Sequence, residues 1–415
     1  MKNLFKTGLL SVLLGASTQT FSQGNSTSSN QKTTLVMTQL IPFKIQVPQN
    51  VLTDLSTRLK QTRWTDEPAN AGWNYGMNPT YLKELVQYWQ TKYDWRKQEA
   101  MLNQFPQFKV DVDGVGIHFI YVKGKGKNPK PLILSHEWPD TYFRFYKIIP
   151  MLTDPASYGG NPDESFDVIV PSTPGQGFSD RKTQTSAGAA ELFAKLMTEV
   201  LGYKSFVAAG DYSITMSMAT KHPDLVKAVH LTDVGYPNGT EDWSKMTPEE
   251  QQFGQTIQRW FFAEGAFNMI QSTKPQTLAY GLNDSPVGLA SWIVEKFYTW
   301  SDTKGNIENS FTKDELITNV MIYWVTETIN SSIRRYAEDT RAMYSQGAPQ
   351  PNARIEVPVG IAIFPADSNT PKAWAERRAN VKRFTVMSAG GRFAAMEQPA
   401  LFVNELRAFF WNEGK

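Results

Sequence analysis

The spacing of apolar residues changes along this chain, and each change predicts a different kind of structure. In residues 42–108 the apolar positions recur with helical spacing, as at Val51, Leu55 and Leu59, which share one face of a helix. The next segment, FKVDVDGVGIHFIYV, alternates with a period of two and predicts a hairpin turned by its Asp-Gly pair. We therefore expect a helical N-terminal region followed by two paired strands.

From residue 131 onward, short apolar runs alternate with helical segments. The runs PLILS, FDVIV, SFVAAG and KAVHL each predict a strand, and the segments between them are typical of helices. Residues 238–350 lack such runs and predict a helical insertion, after which VPVGIAIF and FTVMSAGG predict strands and QPALFVNELRAFFWN a helix. This alternation predicts an α/β fold with a mostly parallel central sheet and helices on both faces.

The first residues form a segment of a different kind. Two lysines precede an apolar core over residues 8–16, which is far shorter than the ~20 residues of a membrane-crossing helix. We therefore predict a secretory signal peptide over residues 1–22 and a secreted or periplasmic protein. Residues 23–41 are expected to form a polar linker. A disordered cytosolic N-terminus is the other interpretation.

Composition narrows the classes of partner. The chain has 42 basic and 40 acidic residues, and two of the lysines lie in the predicted signal peptide, so the processed chain would carry no net charge. It offers no electrostatic reason to bind nucleic acid or an anionic membrane. The absence of cysteine excludes disulfides. The four histidines are scattered, and we expect neither a metal nor a cofactor.

The segment SFVAAGDYSITMSMAT carries the strongest candidate for chemistry. Small residues, Ala209 and Ser213, flank Asp211 between an apolar run and a helical segment. This pattern is typical of a strained strand-to-helix turn that presents a nucleophile at the C-terminal end of a strand. A carboxylate there can attack an electrophilic carbon and form an ester, which favours alkyl over acyl transfer. The alternative is an aspartate that caps the helix beginning at Tyr212.

Several longer segments resemble the microsomal type of epoxide hydrolase. PFKIQVPQNVLTDLSTRLKQTRW is similar to the N-terminal meander of that family, VIVPSTPGQGFSD to its third-strand loop, and NDSPVGLASWIVEKFYTWSD and YWVTETINSSIRRYAED to its lid. The resemblance runs from Pro42 to the C-terminus and implies the α/β-hydrolase fold. It implies a meander over residues 42–108, a core over residues 109–237 and 353–415, and a helical lid over residues 238–352.

The resemblance also implies roles for individual residues. Asp211 would be the nucleophile, Tyr336 in the lid would protonate the leaving epoxide oxygen, and Asp367 falls where the family carries the acid that orients a histidine. The loop SHEWPD matches the oxyanion-hole loop, usually His-Gly-X-Pro, so the backbone N–H groups of Trp138 and Tyr212 would bind the ester oxygen. Alternatively, Tyr336 packs with its hydroxyl at the surface, and Asp367 simply begins a turn.

Four positions depart from the family pattern at the expected site of chemistry. Arg392 stands where the family has its base histidine, and a guanidinium, which stays protonated and has no acceptor atom, cannot be a general base. Trp292 stands in the position of the second lid tyrosine. Glu137 and Asp140 replace glycines of the oxyanion loop, where glutamate would tolerate a positive φ poorly.

An arginine between two aspartates predicts a buried ion-pair cluster. Arg392 between Asp211 and Asp367 would neutralise both carboxylates and lower the nucleophilicity of Asp211 by occupying its lone pairs. The alternative is an Arg392 side chain that turns to solvent and leaves a vacancy. None of the histidines is placed to replace the missing base: His118, His136, His222 and His230.

The sequence therefore predicts an epoxide hydrolase-like protein that opens a hydrophobic epoxide by attack of Asp211 and protonation by Tyr336. Hydrolysis of the resulting ester would be slow, since loss of a general base typically costs ~10²–10⁴-fold in rate. The alternative is a catalytically inactive protein of the same descent that binds a hydrophobic ligand under its lid. Haloalkane dehalogenation by the same aspartate is disfavoured, because it needs halide-binding donors and the meander is foreign to it.

Overall fold

The computed structural model describes residues 40–345, 347 and 353–412. The predicted signal peptide, residues 1–22, and residues 23–39 of the predicted linker lie outside the described residues. None of the helices in the described part of the chain combines the length and the apolar character needed to cross a membrane.

A single sheet of nine strands runs through the described residues, in the order β1-β2-β3-β5-β4-β6-β7-β8-β9. The pairs β1–β2, β2–β3 and β3–β5 are antiparallel, and the other pairs are parallel. The mostly parallel α/β sheet is therefore confirmed. The strands are β1 (Ile41–Phe43), β2 (Gln107–Val112), β3 (Val115–Val122), β4 (Lys130–Ser135), β5 (Phe166–Pro171), β6 (Phe206–Gly210), β7 (Val226–Leu231), β8 (Ile355–Ile363) and β9 (Ala379–Val386).

The described helices lie between β1 and β2, between later strands, in one long insertion after β7, and after β8. The first group is α1 (Gln49–Lys60), α2 (Pro79–Thr91) and α3 (Trp95–Leu102); those between the strands are α4 (Ile148–Thr153), α5 (Ser186–Lys195) and α6 (Tyr212–Lys221). The insertion holds α7 (Pro248–Glu264), α8 (Ala266–Thr273), α9 (Pro275–Asp284), α10 (Pro286–Thr299), α11 (Lys313–Thr326) and α12 (Ile329–Met343). The last three are α13 (Lys372–Arg378), α14 (Ala394–Glu397) and α15 (Pro399–Asn412).

Apolar side chains cover both faces of the sheet. Leu132 and Leu134 of β4 belong to one hydrophobic core, whereas Ile133 between them belongs to a second core. Successive side chains of a strand point to opposite faces, so a continuous apolar run is what a strand with two covered faces requires. This explains why the strand runs lack a polar face.

The predicted hairpin is confirmed. Its strands β2 and β3 pair in antiparallel register, with Val112 opposite Val115. Asp113 and Gly114 between them have φ values of 50° and 76°, the left-handed conformation that short hairpin turns require.

Four local features differ from the sequence expectation. The strand expected in FTVMSAGG begins earlier, and β9 spans Ala379–Val386. Ile41, placed at the end of the polar linker, begins β1, which pairs with β2. The helix expected in YFRFYKIIPMLTDP is divided into a 3-10 turn, Tyr142–Phe145, and α4, where Pro150 occupies the first turn, a position that needs no N–H donor. The short helix α13 was not expected, because seven residues are too few to display a helical period.

Candidate active site

Asp211 lies directly after β6, at the start of α6. Its φ and ψ are −66° and 146°, which is ordinary extended backbone. The expected strain is therefore not at Asp211; the unusual conformation belongs to Gly210, whose φ is 123°. A Cβ on Gly210 would overlap the backbone of Ser135 in the neighbouring strand, so only glycine fits this turn.

The Asp211 carboxylate does not cap the helix that follows it. It makes no capping hydrogen bond to the first turn of α6, so the structure does not have the arrangement of the capping alternative. The residue is 3% exposed, and its side chain contacts two guanidinium groups. Its environment is that of a buried, charge-paired carboxylate.

Arg144, which the sequence interpretation missed, is the nearer of the two cations. Its Nη1 donates to Asp211 Oδ1 and Oδ2 at 3.3 and 3.4 Å and to Asp140 Oδ2 at 2.8 Å. Its Nη2 donates to the backbone carbonyl of Arg392. Arg144 is 2% exposed. The signal that could have revealed it is an arginine inside the aromatic run YFRFY, four residues after an aspartate.

Arg392 lies among three carboxylates at ion-pair distances. Its Nη2 is 3.8 Å from Asp211 Oδ1, and its Nη1 is 3.7 Å from Asp233 Oδ2 and 3.8 Å from Asp367 Oδ1. Its side chain is 21% exposed. The geometry is that of the paired arrangement rather than of a side chain turned to solvent. The hydrogen bonds on the Asp211 lone pairs, however, come from Arg144 and not from Arg392.

The third carboxylate, Asp233, was also missed. Asp211, Asp233 and Asp367 follow β6, β7 and β8, which are neighbours in the sheet. Functional residues of parallel sheets gather at such carboxyl ends. Asp233 Oδ1 accepts a hydrogen bond from the Gly235 N–H at 2.9 Å. Its signal in the sequence was its place two residues after the strand KAVHL.

Burial and the nearby guanidinium groups shift the pKa values of these aspartates in opposite directions. Burial raises each pKa, and the positive charges lower it. Burial opposes ionisation of Asp211, but Arg144 and Arg392 outweigh it and hold the pKa of Asp211 below its usual value. Burial raises the pKa of Asp140 to about 7 and that of Asp233 to about 6, and it raises the pKa of Asp367 as well. Asp211 is therefore the most firmly ionised of these aspartates.

Arg392 itself keeps its proton. Burial alone would lower its pKa, but the charges of Asp367 and Asp211 hold that pKa well above the usual value for arginine. A group that never releases its proton cannot accept one from water.

The histidines lie elsewhere in the fold. His118 and His230 are buried in strands, and His222 contacts Glu191 at the end of α6. His136 is nearest to the site: its Nε2 accepts the Thr173 N–H at 3.2 Å, and burial lowers its pKa to about 3. A neutral imidazole whose Nε2 is occupied in this way has its proton on Nδ1.

The loop that contains Trp138 is held by two residues of α11. Asn319 of α11 donates to the Pro139 carbonyl at 2.9 Å, and the Tyr323 hydroxyl donates to the Asp140 carbonyl at 2.7 Å. Neither Glu137 nor Asp140 is among the non-glycine residues with positive φ in the described chain. The backbone problem expected from losing these glycines is therefore absent.

The N–H groups of Trp138 and Tyr212 have no hydrogen-bond acceptor within the described residues. Tyr212 is the first residue of α6, and N–H groups of a first helical turn lack partners within the helix. Trp138 follows β4, and Tyr212 follows Asp211 after the neighbouring strand β6. The structure leaves both donors available.

A cavity of about 1400 Å³ lies between the sheet and the insertion. Aromatic and charged side chains line it, among them Glu137, Trp138, Tyr212, Asp233, Trp260, Phe267, Trp300, Tyr336, Asp367 and Arg392. Within the described chain, Asp211 is not one of the lining residues. It is buried beside Arg392, which does line the cavity.

The two lid positions differ in their contacts. Tyr336 of α12 lines the cavity, with its ring centroid 6.2 Å from that of Trp138. Burial, reinforced by the charge of Glu137, raises the pKa of Tyr336, so the hydroxyl carries its proton at neutral pH. Trp292 donates its indole N–H to Gln271 Oε1 at 3.1 Å and thus has no free donor for a ligand.

Comparison with known proteins assigns the chain to a family. Residues 40–145 match the family described as "Epoxide hydrolase N terminus". A protein of Stigmatella aurantiaca (strain DW4/3-1) with the provisional name of epoxide hydrolase is 40% identical over 380 residues, covering 89% of this chain and 84% of that protein. Epoxide hydrolase 1 of Sus scrofa is 37% identical over 410 residues, covering 89% and 88%.

The fold agrees with solved structures. The juvenile hormone epoxide hydrolase of the silkworm Bombyx mori superimposes with a TM-score of 0.79 at 29% identity, covering 89% of this chain and 93% of that chain. The epoxide hydrolase of Aspergillus niger gives a TM-score of 0.77 at 26% identity, covering 90% and 96%. The fold is therefore the α/β-hydrolase fold, and the chain belongs to the epoxide hydrolase family.

Proposed function

We propose that this protein opens a hydrophobic epoxide by nucleophilic attack of the Asp211 carboxylate on a ring carbon. The observation that carries the proposal is the position of Asp211, which is ionised at the carboxyl end of β6 and lies 3.8 Å from Arg392, a residue that lines the same cavity as Tyr336. The aromatic wall favours apolar substituents on the substrate. The relatives named as epoxide hydrolases support the same reaction class.

Tyr336 is the proposed proton donor in this step. As the ring C–O bond breaks, its electron pair stays on the oxygen, which takes the hydroxyl proton. The product is a hydroxyalkyl ester of Asp211. The N–H groups of Trp138 and Tyr212 would then stabilise the oxyanion that forms when the ester is hydrolysed.

Arg392 makes the second step slow in this proposal. Water must lose a proton to attack the ester, and the position expected to hold the base holds a permanent cation. A missing general base typically lowers the rate by ~10²–10⁴-fold. Asp367 and Asp233 then act as counterions of Arg392 rather than as orienting acids of a histidine.

The second candidate is a binding protein without turnover. Two observations favour it: Arg144 occupies both oxygens of Asp211, and Asp211 lies outside the cavity lining of the described chain. On this candidate the cavity holds a hydrophobic ligand that never reaches the carboxylate.

Incubation with styrene oxide and with a long-chain 1,2-epoxyalkane in H₂¹⁸O distinguishes the ring-opening enzyme from the binding protein. Ring opening predicts an epoxide-sized mass increase on the peptide with Asp211, followed by ¹⁸O in its carboxylate and by diol. Asp211→Asn should show neither. Unchanged peptide mass and unchanged epoxide with the wild-type protein would leave the binding protein as the better account.

We also propose that the protein is exported, because of the charged start and short apolar core of residues 1–22. Expression in a bacterial host, followed by N-terminal sequencing of the periplasmic or medium fraction, tests this. Export predicts a mature chain that begins after the apolar core, and an intact N-terminus found only in the cytosol contradicts it.

A further inference from the structure

Glu137, the residue that replaces a glycine in the oxyanion loop, lines the cavity on the side of α12. Its Oε1 is buried and has no hydrogen-bond donor among the described residues. Its Oε2 lies 3.9 Å from Arg335 Nη2, which is an ion-pair distance and too long for a hydrogen bond. The carboxyl group is therefore held near a cation, yet no hydrogen bond keeps it in one protonation state.

The groups that face Glu137 come from three elements. Burial raises its pKa to about 7; Arg335 of α12 opposes this shift most strongly, Asp211 and Asp339 add to it, and Arg392 opposes it. The pKa of Glu137 is therefore closer to neutral pH than that of an ordinary glutamate. A proton donor or acceptor is most effective when its pKa is close to the working pH.

Glu137 lines the same cavity as residues proposed to act in ring opening and in ester hydrolysis. It immediately precedes Trp138, whose N–H is a proposed oxyanion donor. It lines the same cavity as Tyr336, whose neighbour on α12, Arg335, faces the Glu137 carboxyl group. The other lid position offers no donor, because the Trp292 N–H is bonded to Gln271.

We propose that Glu137 is the acid–base residue of this site, which returns a proton to Tyr336 in ring opening and accepts the proton of the attacking water in ester hydrolysis. The inference rests on the proposed function, since it needs the ester at Asp211. It assigns the slow second step a proton acceptor other than Arg392.

The protons balance over one cycle. In the first step Asp211 forms a C–O bond, the ring C–O bond breaks, the ring oxygen takes the Tyr336 proton, and the tyrosinate takes the Glu137 proton. In the second step water loses one proton to Glu137 and its oxygen bonds to the ester carbon. The C–O bond to the alkyl oxygen breaks, and that oxygen takes the remaining water proton. The site returns to its initial state and releases a diol.

The test compares the wild-type protein with Glu137→Gln and Glu137→Gly. Glu338→Gln, which makes the same chemical change on α12 outside the cavity lining, is the matched control. Styrene oxide is mixed with excess protein, samples are quenched over time, and ester and diol are measured by mass spectrometry and chromatography. We expect both Glu137 variants to lower the rate of diol release from the ester by roughly 10²-fold, so that ester accumulates, while Glu338→Gln follows the wild type.

The pH dependence separates a chemical role from a structural one. Wild-type ring opening should fall as the pH rises through about 7, where Glu137 loses its proton, and Glu137→Gln should lose this limb. Variants that form and release the ester like the wild type overturn the inference and leave the proposed function standing. A wild-type ester that never releases diol also overturns it. Wild-type protein that forms neither ester nor diol overturns both.

Discussion

Arg144 donates from one nitrogen to both carboxylate oxygens of Asp211 and to Asp140. The residue expected to be a free nucleophile is therefore part of a buried ion-pair network. The arrangement keeps Asp211 ionised, which attack requires, while it occupies the lone pairs that would attack. Stability and reactivity thus depend on the same contacts.

Removal of the Arg144 side chain should destabilise the fold. Arg144→Met leaves Asp140 and Asp211 buried without their nearest counterion, and breaking a buried ion pair in this way costs ~3–5 kcal/mol. Urea unfolding at pH 7 measures the change. The double variant Arg144→Met with Asp140→Asn should lose less than the sum of the single variants, since the two residues interact. A loss below ~1 kcal/mol in Arg144→Met would show that the network contributes little.

Arg392→His should speed the release of diol. An imidazole between Asp211 and Asp367 can accept a proton from water, and the expected gain is at most the ~10²–10⁴-fold that a general base contributes. Steady-state diol formation from styrene oxide measures it. Arg392→Met removes the cation without adding a base, so it should stay near the wild-type rate. Equal gains in both variants would mean that Arg392 acts by restraining Asp211.

Asp233 should make stability depend on pH. Its pKa rises from 3.8 to about 6 on folding, so the folded state binds this proton more tightly than the unfolded state. The free energy of unfolding should therefore fall as the pH rises from about 4 to about 6, by up to ~3 kcal/mol from this group. Asp233→Asn should lack that fall. Urea unfolding of both proteins from pH 4 to 7 tests it, and parallel curves would contradict it.

Gly210→Ala should be far more damaging than Gly202→Ala. Both glycines have positive φ, 123° and 74°, but a Cβ at Gly202 meets nothing within 4 Å, whereas at Gly210 it overlaps the Ser135 backbone. Gly202→Ala should cost roughly 1–2 kcal/mol from the backbone conformation alone. Gly210→Ala adds the overlap between two central strands. Thermal unfolding followed by circular dichroism compares them, and similar melting temperatures would mean that the turn can adjust.

The order of elements was predictable because it depends on local patterns. Continuous apolar runs predicted the central strands, and the Asp113-Gly114 pair predicted the hairpin turn. The strand β1 and the helix α13 were not predicted, because their three and seven residues, respectively, are too few to display a period. Residues 238–350 were expected to be helical from their lack of strand runs, and the six helices α7–α12 lie in the described part of that segment.

The composition of the site was only partly predictable. The pattern around Asp211 and the departure at Arg392 were evident from the residues in sequence. Arg144 and Asp233 were not predicted, because their local signals do not show that they lie near Asp211 and Arg392, which are far along the chain. Asp233 lies 159 positions before Arg392 in the sequence, yet their charged atoms are 3.7 Å apart.

Residue identity and periodicity were enough to specify the α/β layout and the turn before Asp211, and the resemblance to the epoxide hydrolase family identified Arg392 as a cation where a base was expected. The folded arrangement alone decided which oxygens that cation contacts and which second cation reaches Asp211. It also decided which carboxyl groups hold protons at neutral pH. The physical reason is that strand and helix patterns are properties of neighbouring residues. Ion pairs and pKa shifts depend instead on distance and burial, and these exist only once the β6, β7 and β8 ends and the segment around Arg392 have been brought together.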